Sequence, residues 1–253
     1  MIDVQAPAGN YREALAELPL SARRVDLPHG AIVVVAGDDG WVGAALAAVS
    51  AGAVGVVVAD PAFVPAEDVR RLAGAGIPII IERPLLRADV SADAVAARTT
   101  ASGGVPPRVL VAEATASRAG LTAATRDAVG WLRILAGEAH TLVAADGGLA
   151  LLETSAGISA TLTAVVTVRP DAGRIRVQAL GEVITEVEIE GRASRLATAS
   201  AVGRLVAPAR FESSERLALR RAVEAFAAHT TPTDLDDLAA DTDLVERMLV
   251  DSA

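Results

Sequence analysis

The sequence contains no lysine and no cysteine, and these two absences exclude several kinds of chemistry. All 23 basic residues are arginine, which removes a Schiff-base lysine and any lysine acting as a general acid or base. Without cysteine the chain has no disulfide, no thiolate metal site and no cysteine nucleophile. Aromatic residues make up only 2% of the 253 residues. The core must therefore be built mainly from aliphatic side chains.

The charge balance is acidic, with a formal net charge of -9 at pH 7. Binding to nucleic acid requires clustered positive charge that neutralises phosphates, so we expect no nucleic-acid partner. The apolar runs are interrupted by Gly, Pro and Asp, and none approaches the roughly 18 residues that a membrane span needs. The N-terminus lacks the basic and apolar segments of a signal peptide. We therefore expect a cytoplasmic protein that does not associate with a membrane.

The first half of the chain alternates buried strands with helices. Continuous apolar runs cover residues 31–36, 54–59 and 77–81, and helices are expected over about 41–52 and 65–75. Strands of this kind are covered on both faces and belong to a parallel sheet with crossover helices. We expect a short βαβ piece before residue 31 and a fourth strand at 109–112. The sequence therefore predicts an α/β, Rossmann-like N-terminal domain over residues 1–116.

The second half changes to strands in which apolar and polar residues alternate. The period-2 patterns at 159–168 and 182–190 are typical of an antiparallel sheet with one face in water. Further strands are expected at 141–145, 148–154 and 174–179, with an edge strand within 195–207. Helices are expected at 121–136, 213–228 and 233–250. The sequence therefore predicts an α+β domain with a large, mostly antiparallel open sheet over residues 117–253.

Three segments resemble the glucose–fructose oxidoreductase/inositol dehydrogenase (Gfo/Idh/MocA) family. GIPIIIERPLLRAD, residues 76–89, is similar to the family's strand followed by Glu-Lys-Pro-Leu, and TRDAVGWLRILAGE, residues 125–138, to the helix that opens its C-terminal domain. Residues 211–249 resemble its closing pair of helices around a proline. The resemblance implies a Rossmann domain, hydride transfer between a nicotinamide cofactor and a sugar or cyclitol hydroxyl, and an open sheet that often forms the subunit interface.

The chain departs from the family at the positions that carry its chemistry. The family's lysine is replaced by Arg83, which keeps the positive charge but cannot transfer a proton at neutral pH. The family's Asp and His on the later helix correspond to Gly120 and Ala124, and neither can do that chemistry. Arg83 stays the candidate catalytic residue, and Glu82 and Asp127 are the candidate substrate-binding residues.

A glycine pattern offers a candidate cofactor site after the first long strand. The residues of this pattern are Gly37, Gly40, Gly43 and Asp60. Such glycines allow backbone N–H groups to approach a pyrophosphate at a helix N-terminus, and the acid would accept from a ribose hydroxyl. Against this, Asp38 and Asp39 place negative charge where the phosphates would lie. Alternatively, Asp60-Pro61 corresponds to the Thr-Pro of a later strand in the family, and Asp60 is then no ribose ligand.

Two functions follow from these observations. The loss of the lysine, the Asp and the His favours a pseudoenzyme that binds no cofactor and acts as an assembly or regulatory partner of a dehydrogenase. The alternative is an active NAD(P)-dependent sugar or cyclitol dehydrogenase with a rearranged active site that uses the glycine pattern.

Two further expectations concern partners and metals. The strand at 159–168 carries little charge on either face, and such a sheet should be covered. We therefore expect a homodimer, or a hetero-oligomer with a related dehydrogenase, through the C-terminal sheet. No metal site is expected, because the acidic residues at 234–243 suit the first turns of the last helix.

Overall fold

The computed structural model describes residues 1–6, 9–18, 20–168 and 173–251, and the chain forms two compact units. The first unit comprises Met1–Arg83 with Phe211–Ala239, and the second comprises Pro84–Arg210 with Ala240–Ala253. The division therefore falls after Arg83 and differs from the predicted boundary at residue 116. The C-terminal segment that starts at Phe211 returns to the first unit.

The first unit is built on a five-stranded parallel sheet in the order β2-β1-β3-β4-β5. Its strands are β1 (Ile2–Gln5), β2 (Ala22–Arg24), β3 (Ile32–Ala36), β4 (Gly55–Ala59) and β5 (Ile79–Glu82). The last three are the apolar runs that predicted buried strands, and nearly all of their residues are buried. This confirms the Rossmann-like sheet expected from the sequence.

The described residues form seven helices. They are α1 (Asn10–Ala16), α2 (Trp41–Ser50), α3 (Ala66–Arg70), α4 (Ala88–Ser102), α5 (Leu121–Ala136), α6 (Ser214–Ala228) and α7 (Asp234–Asp251). Alternate residues of β3 show how the first sheet is covered, because Val34 packs in a cluster with α1 and α6, whereas Val33 and Val35 pack with α2 and the start of α7. Across the described ranges, no helix is both long enough and apolar enough to span a membrane.

The edge of the first sheet at β5 is closed by a side chain. The backbone N–H of Ile81 donates to Asp234 Oδ2 at 2.9 Å. The carboxylate thus takes the place of the carbonyl acceptor that a further strand would provide. The Asp234 carboxylate also accepts two hydrogen bonds from Arg221, at 2.7 and 3.0 Å. Because unpaired strand edges invite pairing with another chain, this contact protects the edge.

The second unit is built on an eight-stranded sheet in the order β13-β12-β11-β10-β6-β9-β8-β7. Its strands are β6 (Val109–Ala116), β7 (His140–Asp146), β8 (Leu149–Thr154), β9 (Ser159–Val166), β10 (Arg174–Leu180), β11 (Ile184–Glu190), β12 (Ala193–Ser200) and β13 (Gly203–Val206). All neighbours are antiparallel except β6 and β9. The predicted large, mostly antiparallel sheet is therefore confirmed.

Two strands differ from the sequence prediction, and the helix α4 was not predicted. The strand at 109–112 was expected in the first sheet, but β6 pairs with β9 and β10 of the second. Its continuation explains the error, because Glu113 and Thr115 alternate with the buried Ala114 and Ala116, as in a strand with one face in water. The second difference is the segment 195–207, which forms the hairpin of β12 and β13 and not a single edge strand.

The second sheet has one covered and one open face. Helices α4 and α5 pack on it, so that Leu162 of β9 is fully buried while the neighbouring Val165 is 50% exposed on the other side. The open face is not uniformly poor in charge as expected. Arginine and glutamate side chains pair across β10 and β11, through Arg174–Glu188 and Arg176–Glu186.

Candidate functional site

The carboxyl edge of the first sheet is where a ligand of this fold class would be expected. Because β1 lies between β2 and β3, the chain leaves the sheet centre in opposite directions from β1 and β3. Ligands of open α/β sheets bind in the crevice at the carboxyl ends of strands at such a switch point. The described loop that borders it runs from Gly37 to Gly40 and leads into α2.

Gly37 is required by the packing of the chain against itself. A Cβ atom on Gly37 would lie 2.1 Å from the carbonyl oxygen of Ala59 and 2.4 Å from that of Asp60. The carbonyl oxygen of Gly37 accepts from the N–H of Ala62 at 2.6 Å. The absence of a side chain at Gly37 therefore lets the ends of β3 and β4 approach each other, and this role does not depend on a nucleotide.

The other two glycines of the pattern stand at the start of α2. The N–H of Gly40 donates to Asp38 Oδ1 at 3.0 Å, so an internal carboxylate already occupies one donor that a phosphate would use. A Cβ atom on Gly43 would meet nothing within 4 Å. Trp41 between them is fully buried and donates from Nε1 to the carbonyl oxygen of Ala62 at 3.3 Å. Phosphate binding by these glycines stays a prediction.

Asp60 follows β4 and adopts a left-handed backbone conformation, with φ of 46°. Its N–H donates to the carbonyl oxygen of Glu82 at 3.1 Å. The structure thus brings three of the candidate residues together at the ends of adjacent strands: Gly37 after β3, Asp60 after β4 and Glu82 at the end of β5. Asp60 as a ribose ligand also stays a prediction.

Glu82 is the centre of a buried polar cluster. Its Oε2 accepts from the Tyr11 hydroxyl at 2.5 Å. The Ser214 hydroxyl donates to Glu215 Oε2 at 3.4 Å and also lowers the pKa of the Glu82 carboxylate. Glu215, one residue further along α6, accepts from Asn10 Nδ2 at 2.8 Å. The cluster therefore joins β5 to the first turns of α1 and α6. We refer to these five residues as the Glu82 cluster.

Burial controls the protonation of the Glu82 cluster. Desolvation raises the pKa of Glu82, the negative charges of Glu215 and Asp60 raise it further, and the nearby hydroxyls of Ser214 and Tyr11 lower it in part. Desolvation and the adjacent Glu82 carboxylate likewise raise the pKa of the Tyr11 hydroxyl. Tyr11 thus stays a neutral hydrogen-bond donor, and Glu82 holds a proton more strongly than an exposed glutamate does.

Arg83 and Asp127, the two remaining candidates, are both buried. Arg83 directly follows the Glu82 cluster in sequence and is 7% exposed. Asp127 belongs to the second unit, where it lies on α5 and pairs with the buried Arg126, with Arg126 Nη2 3.2 Å from Asp127 Oδ1. On the same helix, Gly120 is the N-cap residue and Ala124 is buried. Neither position of α5 carries a group that can transfer a proton.

Sequence reasoning identified Glu82 and missed its partners. Tyr11 is 71 residues away from Glu82, and Ser214 and Glu215 belong to a helix that follows the long segment Pro84–Arg210 of the second unit. No local pattern links residues so far apart. The few residues that separate β1 from Tyr11 in the sequence could have placed Tyr11 at this edge, since a helix that follows a parallel strand starts at the carboxyl edge of the sheet.

The described residues contain no group of three or more His, Asp or Glu side chains that could hold a metal ion. The site is therefore built from hydrogen-bonded carboxylates and hydroxyls on a Rossmann-like unit, accompanied by a unit with a large open sheet. These two units together form the two-domain architecture that the sequence resemblance predicted.

No family description matches the sequence, and no curated protein matches it. Solved structures do match. The 3-ketoreductase KijD10 from Actinomadura kijaniata, in complex with TDP-benzene and NADP, has a TM-score of 0.71 at 15% identity, over 99% of this chain and 98% of that one. The UDP-N-acetylglucosamine 3-dehydrogenase GnnA from Acidithiobacillus ferrooxidans has a TM-score of 0.61 at 15% identity, over 99% and 97%. At these identities the likeness establishes the fold, and it confirms at that level the resemblance to the Gfo/Idh/MocA family.

Proposed function

We propose that this chain is a non-catalytic protein with the Gfo/Idh/MocA fold that acts through assembly with a second copy or with a related dehydrogenase. The observation that carries the proposal is the Glu82 cluster. The carboxylate that ends β5 accepts a hydrogen bond from Tyr11 and is only 7% exposed. A catalytic base must come within hydrogen-bond reach of the proton that it removes. The cluster is arranged for stability at the carboxyl edge of the sheet.

Two further features support a non-catalytic role. The residue after Glu82 is an arginine in a chain without lysine, and a guanidinium does not exchange protons at neutral pH. The positions that correspond to the family's Asp and His are Gly120 and Ala124, of which Ala124 is 2% exposed. Side chains with acid–base chemistry are therefore missing from three positions at once.

A second candidate function is NAD(P)-dependent oxidoreduction of a sugar. It is favoured by the topological switch point beside the loop from Gly37 to Gly40 and by the likeness to the KijD10 structure, which holds NADP. In that case the glycine loop would bind the cofactor phosphates, after Asp38 Oδ1 has released the N–H of Gly40. Hydride transfer would then require a base other than the family's lysine.

Cofactor binding separates the two candidates. We would titrate the purified chain into NADPH and NADH and follow nicotinamide fluorescence. The non-catalytic role predicts no saturable change up to about 1 mM protein, which corresponds to a binding free energy weaker than about -4 kcal/mol. A dissociation constant in the micromolar range would overturn the proposal and favour the oxidoreductase.

The surface that we propose for assembly is the open face of the second sheet. Apolar side chains are exposed on it, among them Leu149 at 59%, Leu151 at 42% and Val165 at 50%. Leu151 lies opposite Thr161 of β9, and Leu149 lies opposite Thr163. The carboxylates of Asp146 and Glu153 border this aliphatic and threonine patch. Contiguous exposed apolar surface of this kind marks an interaction site.

A substitution on this face tests the assembly. Leu151→Arg adds a charge to the open face at an exposed position and should convert an oligomer to a monomer without loss of the fold. Leu249→Arg is the control, because Leu249 is 53% exposed on α7. Light scattering at tens of micromolar should show a smaller mass for Leu151→Arg only. A monomeric unsubstituted chain would contradict self-assembly, and the partner would then have to be a related dehydrogenase.

A further inference from the structure

A cavity of about 170 Å³ lies in the second unit, between the end of α4, the loop that follows it and the end of α5. Its walls include the aliphatic side chains of Val95, Val105, Ile134 and Leu135. A cavity of about 150 Å³ is sufficient for benzene. The space therefore suits a ligand of about six non-hydrogen atoms.

One wall of the cavity carries a buried cation without an opposite charge. Arg98 is 6% exposed, and its Nη1 donates to the carbonyl oxygens of Val183 at 2.8 Å and Ala179 at 3.5 Å. No carboxylate among the described residues pairs with it. A guanidinium has five N–H donors, and those on Nε and Nη2 make no hydrogen bond within the described part of the chain. Burial without an opposite charge lowers the pKa of Arg98 and is unfavourable.

A second polar group at the same cavity also lacks a partner. The Ser102 hydroxyl is buried and makes no hydrogen bond to any described residue. Two backbone carbonyls at the end of α4 already accept hydrogen bonds, Thr99 O from Gly104 N at 3.2 Å and Ser102 O from Val105 N at 3.3 Å. What the cavity lacks is therefore an acceptor of hydrogen bonds, with negative charge to balance Arg98.

We propose that this cavity binds a small organic carboxylate. The carboxylate oxygens accept hydrogen bonds from Arg98 and Ser102, and the apolar body of the ligand contacts Val105 and Ile134. Ligand sites commonly combine apolar walls with a few converging polar groups, as here. The aliphatic walls favour an organic acid over inorganic phosphate, which has no apolar part. The proposal does not depend on the function proposed above.

The probe is isobutyrate, which has six non-hydrogen atoms, and its control is the neutral isobutyramide of the same shape. Both are titrated into the ¹⁵N-labelled full chain, and the amide resonances of Gly104, Val105 and Gly137 are followed by NMR. We expect saturable shifts with isobutyrate in the low millimolar range and at least about tenfold weaker binding of the amide, as the loss of one charge-assisted hydrogen bond implies. Equal shifts with both compounds, equally tight binding of inorganic phosphate, or no saturation by about 50 mM would overturn the proposal.

Two variants locate the site. Arg98→Met removes the charge and should abolish binding, but it also removes the hydrogen bonds to Val183 and Ala179 that support the β10–β11 hairpin. Ala136→Leu keeps Arg98 and fills the cavity from a half-buried position at the end of α5, so it should fold and still lose binding. Ala228→Leu, at an exposed position near the end of α6, should bind as the unsubstituted chain does. Binding that survives in Ala136→Leu would show that the ligand lies elsewhere and contradict the proposal.

Discussion

Replacement of Tyr11 by phenylalanine tests the assignment of the Glu82 cluster as a stabilising element. The change removes only the hydroxyl that donates to Glu82 Oε2 at 2.5 Å, in a side chain that is 6% exposed. The ring keeps its place in the apolar cluster that α1 and α6 form with the first sheet. Any loss of stability therefore reports on the hydrogen bond.

The expected magnitude follows from the charge of the acceptor. A hydrogen bond to a charged group contributes about 1.5–3 kcal/mol, and one between neutral groups about 0.5–1.5 kcal/mol. We therefore expect Tyr11→Phe to lower the free energy of unfolding by about 2 kcal/mol when Glu82 is ionised and by about 1 kcal/mol when it is protonated.

The pH dependence has a definite sign. Because the pKa of Glu82 is raised above 4.5 in the folded chain, the stability that its protonation contributes is present below pH 4.5 and is lost as the pH rises through the folded pKa. The hydroxyl of Tyr11 lowers that pKa, so its removal should raise it further. The cost of Tyr11→Phe should accordingly increase with pH over this interval.

Urea unfolding at pH 5 and pH 8, followed by circular dichroism, measures both quantities. Ser50→Ala is the control, since Ser50 donates to the carbonyl oxygen of Leu46 at an exposed site of the same unit, and it should cost less than about 0.5 kcal/mol at either pH. A cost for Tyr11→Phe that is equally small, or one that decreases towards pH 8, would refute the account of the Glu82 cluster.

Two further predictions concern packing and charge. Gly37→Ala should destabilise the chain by about 3 kcal/mol, because its Cβ would overlap the backbone of Ala59. Gly43→Ala should instead stabilise α2 by about 0.5–1 kcal/mol. Urea midpoints of the two variants that move in the same direction would contradict this prediction. Arg133→Met should cost about 3 kcal/mol, because Asp241, 1% exposed, would lose the two hydrogen bonds that it accepts from Arg133, at 2.8 and 3.2 Å. The exposed pair of Arg247 and Asp243 is the control, and Arg247→Met should cost no more than about 0.5 kcal/mol in thermal unfolding.

Much of the fold could be predicted from the sequence because its signals are local. Continuous apolar runs identified β3, β4 and β5, and the helix expected at 121–136 is α5 with the bounds observed, Leu121–Ala136. The helix α4 was missed, since its apolar residues are mostly alanines without a clear stripe, interrupted by Asp89 and Asp93. The position of β6 was wrong because an apolar start at 109–112 hides the alternation that follows.

The candidate site was predicted less completely because it depends on contacts between distant parts of the chain. Glu82 was proposed as a site residue from its resemblance to the family's Glu-Lys-Pro-Leu, whereas the return of α6 to the first unit brings Ser214 and Glu215 near it. The glycine pattern was visible, but the sequence alone could not reveal that Gly37 accommodates the backbone of Ala59 and Asp60. Glycine can allow the approach of a phosphate or the approach of another backbone segment, and only the neighbouring atoms distinguish these two roles.

The central claim, that the chain does not use a nicotinamide cofactor, is tested most directly by the effect of NADPH on unfolding. A ligand that binds only the folded state stabilises it by RT ln(1 + [L]/Kd), which is about 2.7 kcal/mol when the ligand concentration is 100 times Kd. With about 1 mM NADPH and a Kd of about 10 μM, the urea midpoint would increase by an amount that corresponds to this stabilisation of about 2.7 kcal/mol. We predict an unchanged midpoint, and an increase of this size would contradict the account.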